Sequence, residues 1–224
     1  TLSTLIPDAT FVSGKTCIIF DEIQECPRAR TALKFFKTDG RYDVICTGSL
    51  LGVSGYHTNV SAEAPIPVGY ETIIDMYPMD FEEWLWANGI QKMTTDYLSR
   101  CMEERTPVQD AIHQRMRQLL LQYCIVGGMP RAVSVFMETH NMQNVLRMQK
   151  AIIEEYKVDM LKYAPQSDKS RIRECFESIP RQLSKENKKF AYSIVRPNGR
   201  GRDYQGSLQW IEDAGIVRRC YNLS

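Results

Sequence analysis

No stretch of this 224-residue chain approaches the roughly 20 consecutive apolar residues that a membrane-spanning helix needs. Its opening residues also lack the order of a signal peptide, so a membrane partner is not expected. Paired cysteines are lacking: the seven residues are scattered, odd in number and contain no C-x-x-C pair. A disulfide scaffold is therefore excluded, and a reducing compartment, the cytoplasm, fits best. Cys17, Cys46 and Cys124 lie in apolar stretches and read as small core residues. The three histidines, His57, His113 and His140, share no ligand spacing with any cysteine, which argues against a zinc site. Internal repeats and low-complexity tracts are absent.

Net charge is also low, at +1, but it hides an asymmetry. Residues 1–168 carry 16 basic and 21 acidic side chains, a net of −5, whereas residues 169–224 carry 12 and 6, a net of +6. A basic C-terminal segment suits DNA or another polyanion. A solvated basic surface accounts for the same composition.

What is present begins with ATFVSGKTCIIFDEIQE, residues 9–25, where two nucleotide motifs overlap. Ala9 to Thr16 fits a loose phosphate-binding loop, with Gly14-Lys15-Thr16 at its end. Such a loop needs a strand before it and a helix after it, so that loop amides and the helix N-terminus face the phosphates. Here Leu5 to Ala9 is short and contains Pro7, and Thr16 to Phe20 reads as a buried strand. The glycine-lysine-threonine match is therefore a turn feeding that strand.

The second motif survives the same test. Thr16–Phe20, a helix over Arg28–Lys37 stopping at Asp39-Gly40, and a buried strand over Tyr42–Thr47 make a βαβ unit. Asp21-Glu22 and Thr47-Gly48-Ser49 then stand side by side at the C-terminal edge of a parallel sheet, where such sheets place ligand groups. Asp21 there can hold Mg²⁺, and Glu22 can deprotonate an attacking water. A hydroxyl from Thr47 or Ser49 can sense the γ-phosphate or position the water. A surface strand can also end in Asp-Glu without function; the second matched tip weighs toward function.

Residues 52–66 are expected to form a mobile loop and Val68–Met76 a third strand. Asp80 and Glu83 form a capping box opening a helix through Trp86 that ends at Asn88-Gly89. Trp84, Trp86 and Phe81 should be core. Helices are expected over 94–104, 108–126, 130–139, 142–163 and 168–184, with Pro180 kinking or interrupting the last. Glu154, Glu155 and Asp159 read as a solvated face. In the tail, Lys188–Val195 is strand-like, Asp203 caps a helix ended by Gly215, and Ile216–Tyr221 is a further strand candidate.

Together with Asp21–Pro27 and Thr47–Gly52, the stretches Tyr77–Glu83, Val126–Pro130, Ser178-Ile179-Pro180, Gln182-Leu183 and Gln209–Gly215 carry a resemblance across nearly the whole chain. It resembles the bacterial and archaeal AAA-type ATPases that bear a C-terminal winged-helix and nuclease-like region of unassigned function. The resemblance implies Asp21 as the magnesium-site acid, Glu22 as the catalytic base, and Thr47 or Ser49 as the sensor. It places the phosphate loop upstream of this segment, so the chain reads as an internal fragment. Two features depart from the family: Tyr70 stands where a basic residue is common, and residues 52–67 contain no arginine to act as a finger. The nuclease-like end is also lacking.

The expected architecture is α/β: a partial P-loop NTPase core with a parallel sheet over 1–79, an α-helical lid over 80–165 and a winged-helix (α+β) domain over 166–224. The expected function is hydrolysis of ATP with Mg²⁺ in the intact protein, alone or as an oligomer. The competing expectation is a non-catalytic DNA- or protein-binding winged helix with an idle nucleotide site. In that tail Tyr204, Leu208 and Ile211 should share a buried face, leaving Gln205, Ser207, Gln209 and Glu212 exposed. Arg196, Arg200, Arg202, Arg218 and Arg219 should flank it as phosphate contacts.

Overall fold

The computed structural model describes residues 10–49 and 69–221. The loop expected over 52–66 lies outside them. Two compact units emerge, one of Thr1–Ile74 with Asp159–Ser224 and the other of Asp75–Val158.

In the first unit, β-branched residues after the Gly14 turn form strand β1, Cys17–Phe20. Helix α1, Pro27–Asp39, follows with proline at its first turn, where the missing N–H is no loss. Gly40 closes it at φ 64°, a left-handed conformation that glycine adopts without a Cβ penalty, and donates its N–H to Phe36 O. Strand β2, Asp43–Cys46, then pairs with β1 in parallel, with Ile18 opposite Val44 and Phe20 opposite Cys46. Phe20 meets Phe36 of α1 edge-on, with centroids 5.8 Å apart.

The strands match expectation in position but not in burial. Ile19 and Ile45, paired on the face away from Phe20, are 66% and 55% exposed. Cys17 and Cys46 are exposed as well, as is Cys124, so none of the three is a core residue. Apolar, β-branched strands are built to be covered on both faces, and among the described residues only one face is. Nor does residue 69–76 form the third strand; it is turn and irregular chain, with Ile74 and Met76 almost fully exposed. A strand needs a hydrogen-bonding neighbour, and this segment pairs with none among the described residues.

The C-terminal part of the same unit is helical. The end of α6 (Met142–Tyr163), then α7 (Lys169–Leu183), α8 (Tyr192–Val195) and α9 (Gly201–Asp213) share one core. Met160, Tyr163, Ile172, Cys175, Tyr204, Trp210 and Ile211 fill it. Pro180 neither ends nor interrupts α7, because the buried face of Ile172, Cys175, Ser178 and Gln182 holds the helix in register. The Ser178 hydroxyl donates to Cys175 O at 2.7 Å. Lys188–Val195 is not a strand. Its first four residues are irregular and its last four are α8, because Gln182 pins Ala191 by a pair of side-chain hydrogen bonds and Val195 turns into the core. Ile216–Tyr221 is irregular too, lacking a strand partner among the described residues.

The second unit is built on aromatic packing. Helix α2, Phe81–Ala87, opens with the expected capping box: Glu83 N–H donates to Asp80 Oδ1 at 2.8 Å, and Asp80 N–H to Glu83 Oε2 at 2.9 Å. Trp84, fully buried, stacks on Phe136 with centroids 5.4 Å apart and meets Tyr123 at 5.9 Å. Phe81 packs against this core, but Trp86, on the far side of the short helix, is 52% exposed. Helices α3 (Lys92–Glu103), α4 (Asp110–Val126), α5 (Pro130–Thr139) and most of α6 complete the unit. All start and end within two residues of expectation.

Val126-Gly127-Gly128-Met129-Pro130 joins α4 to α5. Gly127 ends α4 at φ 75° and Pro130 begins α5. At Gly128 the chain touches the backbone of Met79: Met79 N–H donates to Gly128 O at 2.8 Å, and an added Cβ would overlap the Met79 carbonyl. The Met79 carbonyl also accepts the Tyr123 hydroxyl at 2.8 Å. Gly206 is the opposite case, a helical glycine on α9 with open space where a Cβ would go. Gly128→Ala should destabilise the protein by about 1–3 kcal/mol through this overlap, whereas Gly206→Ala should stabilise it by about 0.5–1 kcal/mol. Urea unfolding of the two variants beside the parent measures both signs.

Candidate functional site

The glycine-lysine-threonine segment is a turn. Gly14 sits at φ 73°, Ser13–Lys15 turn the chain, and β1 begins at Cys17 with no helix between. The amides that a phosphate loop would present are occupied. Gly14 N–H donates to Arg41 O at 2.8 Å, while Lys15 and Thr16 N–H both donate to Val12 O. The Thr16 hydroxyl is also engaged, accepting the Val12 N–H at 2.8 Å. No anion nest is present there.

The two strand tips do converge. Past the Phe20–Cys46 pair the ladder is continued by Thr47 N–H donating to Phe20 O at 2.9 Å and Ile23 N–H donating to Thr47 O at 3.0 Å. Thr47 then joins both acids: its hydroxyl donates to Asp21 Oδ1 and accepts the Glu22 N–H at 3.1 Å. Glu22 lies in the left-handed region, φ 51° and ψ 52°, which for a non-glycine residue costs about 1 kcal/mol or more and persists where surroundings over-determine it. Here the Thr47 contacts on either side supply that determination. Both acids are exposed to solvent at the sheet edge. Ser49, half-buried, lies two residues beyond Thr47 at the limit of the described segment.

Among the described residues no three His, Cys, Asp or Glu side chains gather as a self-sufficient metal cage. Asp21 nonetheless suits a hard cation held largely by water and phosphate oxygens. It is an exposed carboxylate with one oxygen steadied by Thr47, and Mg²⁺ commonly takes only one or two protein carboxylates.

Three neighbours of the acids were not among the expected site residues. Gln24, on the single 3-10 turn Ile23–Glu25, is buried and donates from Nε2 to Glu22 Oε2. Asp159 and Lys162 come from the end of α6. Lys162 Nζ pairs with Glu25 Oε1 at 2.7 Å, and this contact raises the lysine's affinity for its proton. Both partners are more than half exposed, so solvent screens the pair and it adds little to stability. Asp159 departs from the solvated face expected of it. Glu154 and Glu155 are exposed, but Asp159 is half-buried. Burial holds its carboxyl above the usual range; Lys162 opposes that shift, and the Glu22 charge adds to it.

The basic tail is less available than its composition implied. Tyr204, Leu208 and Ile211 are buried on α9 as expected, and Trp210 and Ser207 are buried with them. Asp203 lies in the first turn of α9, which starts after Arg200 without a side-chain cap. Arg219 is committed to Glu212, donating from Nε to Oε2 at 2.6 Å and from its backbone N–H to Oε1 at 3.0 Å. This pairing holds the Glu212 carboxyl below its ordinary range. Arg196, Arg200 and Arg202 remain exposed around the start of α9.

Residues 2–85 match the family model of an AAA domain. This part of the chain is AAA-like. The match covers both strand tips, and the AAA-like segment therefore contains Asp21, Glu22 and Thr47 together. Residues 117–224 match the model of a domain of unknown function (DUF8612). No curated protein and no solved structure matches the chain. Among the described residues no helix is long and apolar enough to cross a membrane.

The raised Asp159 carboxyl yields a signed prediction. The folded state binds that proton more tightly than the unfolded chain, so stability falls as pH rises from the unfolded value, near 3.9, through the folded one. Above that window the charge is a constant liability. Asp159→Asn should raise Tm at pH 7, and the gain should vanish below about pH 4. Thermal unfolding across that range checks it.

Proposed function

We propose that the AAA-like segment carries the hydrolytic half of an ATP site, with Asp21 as the magnesium-site acid and Glu22 as the catalytic base. The observation that supports it is the joining of both acids to Thr47 at the C-terminal tips of two parallel strands. Mg²⁺ bound with ATP at Asp21 would neutralise charge on the β- and γ-phosphate oxygens. Glu22 takes a proton from water as its oxygen attacks the γ-phosphorus, and the bond to the ADP oxygen breaks. Thr47 holds Asp21 and the Glu22 backbone in place, and Ser49 is the second hydroxyl offered to the γ-phosphate. The phosphate-binding amides belong elsewhere than Gly14–Thr16. The division into a core over 1–79, a helical lid over 80–165 and a winged-helix-like domain over 166–224 is part of the same proposal.

A second reading, a DNA- or protein-binding module with an idle nucleotide site, draws on the tail. Helices α7, α8 and α9 pack as three helices with Arg196, Arg200 and Arg202 exposed beside the start of α9. Those arginines suit a phosphate backbone. The exposed α9 positions Gln205 and Gln209 offer little for base reading, and Gln209 is already bonded to Asp213.

In a protein that carries the complete ATP site, Glu22→Gln should abolish ATP hydrolysis while leaving Mg²⁺-dependent nucleotide binding intact, and Lys15→Ala should change neither. Release of phosphate together with titration by a fluorescent ATP analogue separates these outcomes. Loss of binding on Lys15→Ala would return the glycine-lysine-threonine turn to the site, and hydrolysis unaffected by Glu22→Gln would end the hydrolase assignment. For the tail, duplex DNA binding should weaken with salt. Each Arg→Ala change among Arg196, Arg200 and Arg202 should lower the slope of log K against log salt by about 1. Binding indifferent to salt, or slopes unchanged in the variants, would remove DNA from the partner list.

A further inference from the structure

In the second unit, α4 and the N-terminal half of α6 leave apolar side chains bare. Leu121 and Ile125 stand one turn apart on α4, and Leu146 and Ile153 two turns apart on α6. All four are between 44% and 62% exposed. Gln149 makes one surface of them. Its Nε2 donates to Ile125 O at 2.8 Å and to Val126 O at 3.0 Å, which seats the end of α4 against α6 between Leu146 and Ile153. Those carbonyls are among the last of α4, which have no partner within their own helix. With them satisfied, the patch presents side chains rather than bare backbone. A contiguous apolar surface of this kind marks an interaction site.

The rim of the patch is basic. Arg117, one turn before Leu121, and Lys150, between the two α6 residues, are both exposed. From Ala111 to Val126, α4 contains Arg115 and Arg117 and no acid.

The same unit carries the complement. Trp86 is exposed on α2, and Glu82 is exposed one turn before it on the same face. From Asp80 to Ile90 the chain holds Asp80, Glu82 and Glu83 and no lysine or arginine. Tryptophan is enriched among the few residues that dominate association, where it fills an apolar surface. Within one chain both Trp86 and the patch are exposed, so neither covers the other. Patch against patch would set Arg117 and Lys150 against their own copies, and like charges repel. Only the α2 face matches the patch in both apolar character and sign.

We propose that the patch docks a second copy of this chain: the α2 face of one copy, led by Trp86, lies on the α4–α6 patch of the next, with Glu82 against Arg117. The two surfaces differ, so the contact is head-to-tail, and the assembly is a closed ring or an open chain. It stands apart from the ATP site and needs no nucleotide.

The test is sedimentation of the 224-residue chain over a range of concentrations. The parent should associate. Trp86→Ala and Ile125→Glu should each weaken association about 30-fold or more, with the unfolding temperature little changed because both side chains lie on the surface. Mixed in equal amounts, the two variants should form a one-to-one pair and nothing larger, since each retains the face that the other has lost. Glu82→Arg or Arg117→Glu alone should weaken association, and the two together in one chain should restore it. A parent that stays monomeric overturns the proposal. So does association that survives Trp86→Ala, which would mark another occupant of the patch, or a mixture of the two variants that fails to pair.

Discussion

The contacts of Thr47 with the end of β1 carry the local architecture. Two parallel strands of four residues make a small sheet, and its register is what brings the following residues together. With Phe20 opposite Cys46, the next residues on each strand are Asp21 and Thr47, and the threonine reaches them through backbone and hydroxyl alike. A shift of one residue would send Thr47 to the other face of the sheet. The left-handed Glu22, the single 3-10 turn and the burial of Ile23 and Gln24 all follow from that register.

Charge around the acids is distributed unevenly. Lys162 is drawn to Glu25 rather than to Asp21 or Glu22, and Asp159 brings a third carboxyl within electrostatic reach of Glu22. The helices beyond the sheet are held by different means: a closed aromatic core around Trp84 in one unit, and the Tyr163–Tyr204–Trp210 core in the other.

Much of this was readable because the signals were local. A capping box spans four residues and a helical apolar stripe recurs within four, so α1 through α7 were legible to within two residues. Asp21, Glu22 and Thr47 were legible because strand ends are where β-branched runs stop. Where a segment's state depends on a distant partner, local signals misled. KKFAYSIV has strand composition but is held as a bend and short helix by Gln182, and the Ile216–Tyr221 run has no partner to make it a strand. Arg219 looked like a free cation until Glu212 was found beside it.

The order of residues by itself therefore determined the helices, the two strands, the exclusion of a phosphate loop at Gly14–Thr16 and the two acids at a strand tip. Each depends on neighbours within a few positions. Tertiary structure alone decided that Thr47 bridges those acids, that Gln24 is buried against Glu22 with half its amide unpaired, and that Asp159 and Lys162 stand near them. The reason is physical. A hydrogen bond between residues 25 positions apart, or an ion pair between residues 137 apart, is set by how the chain packs. No periodicity along the sequence encodes it.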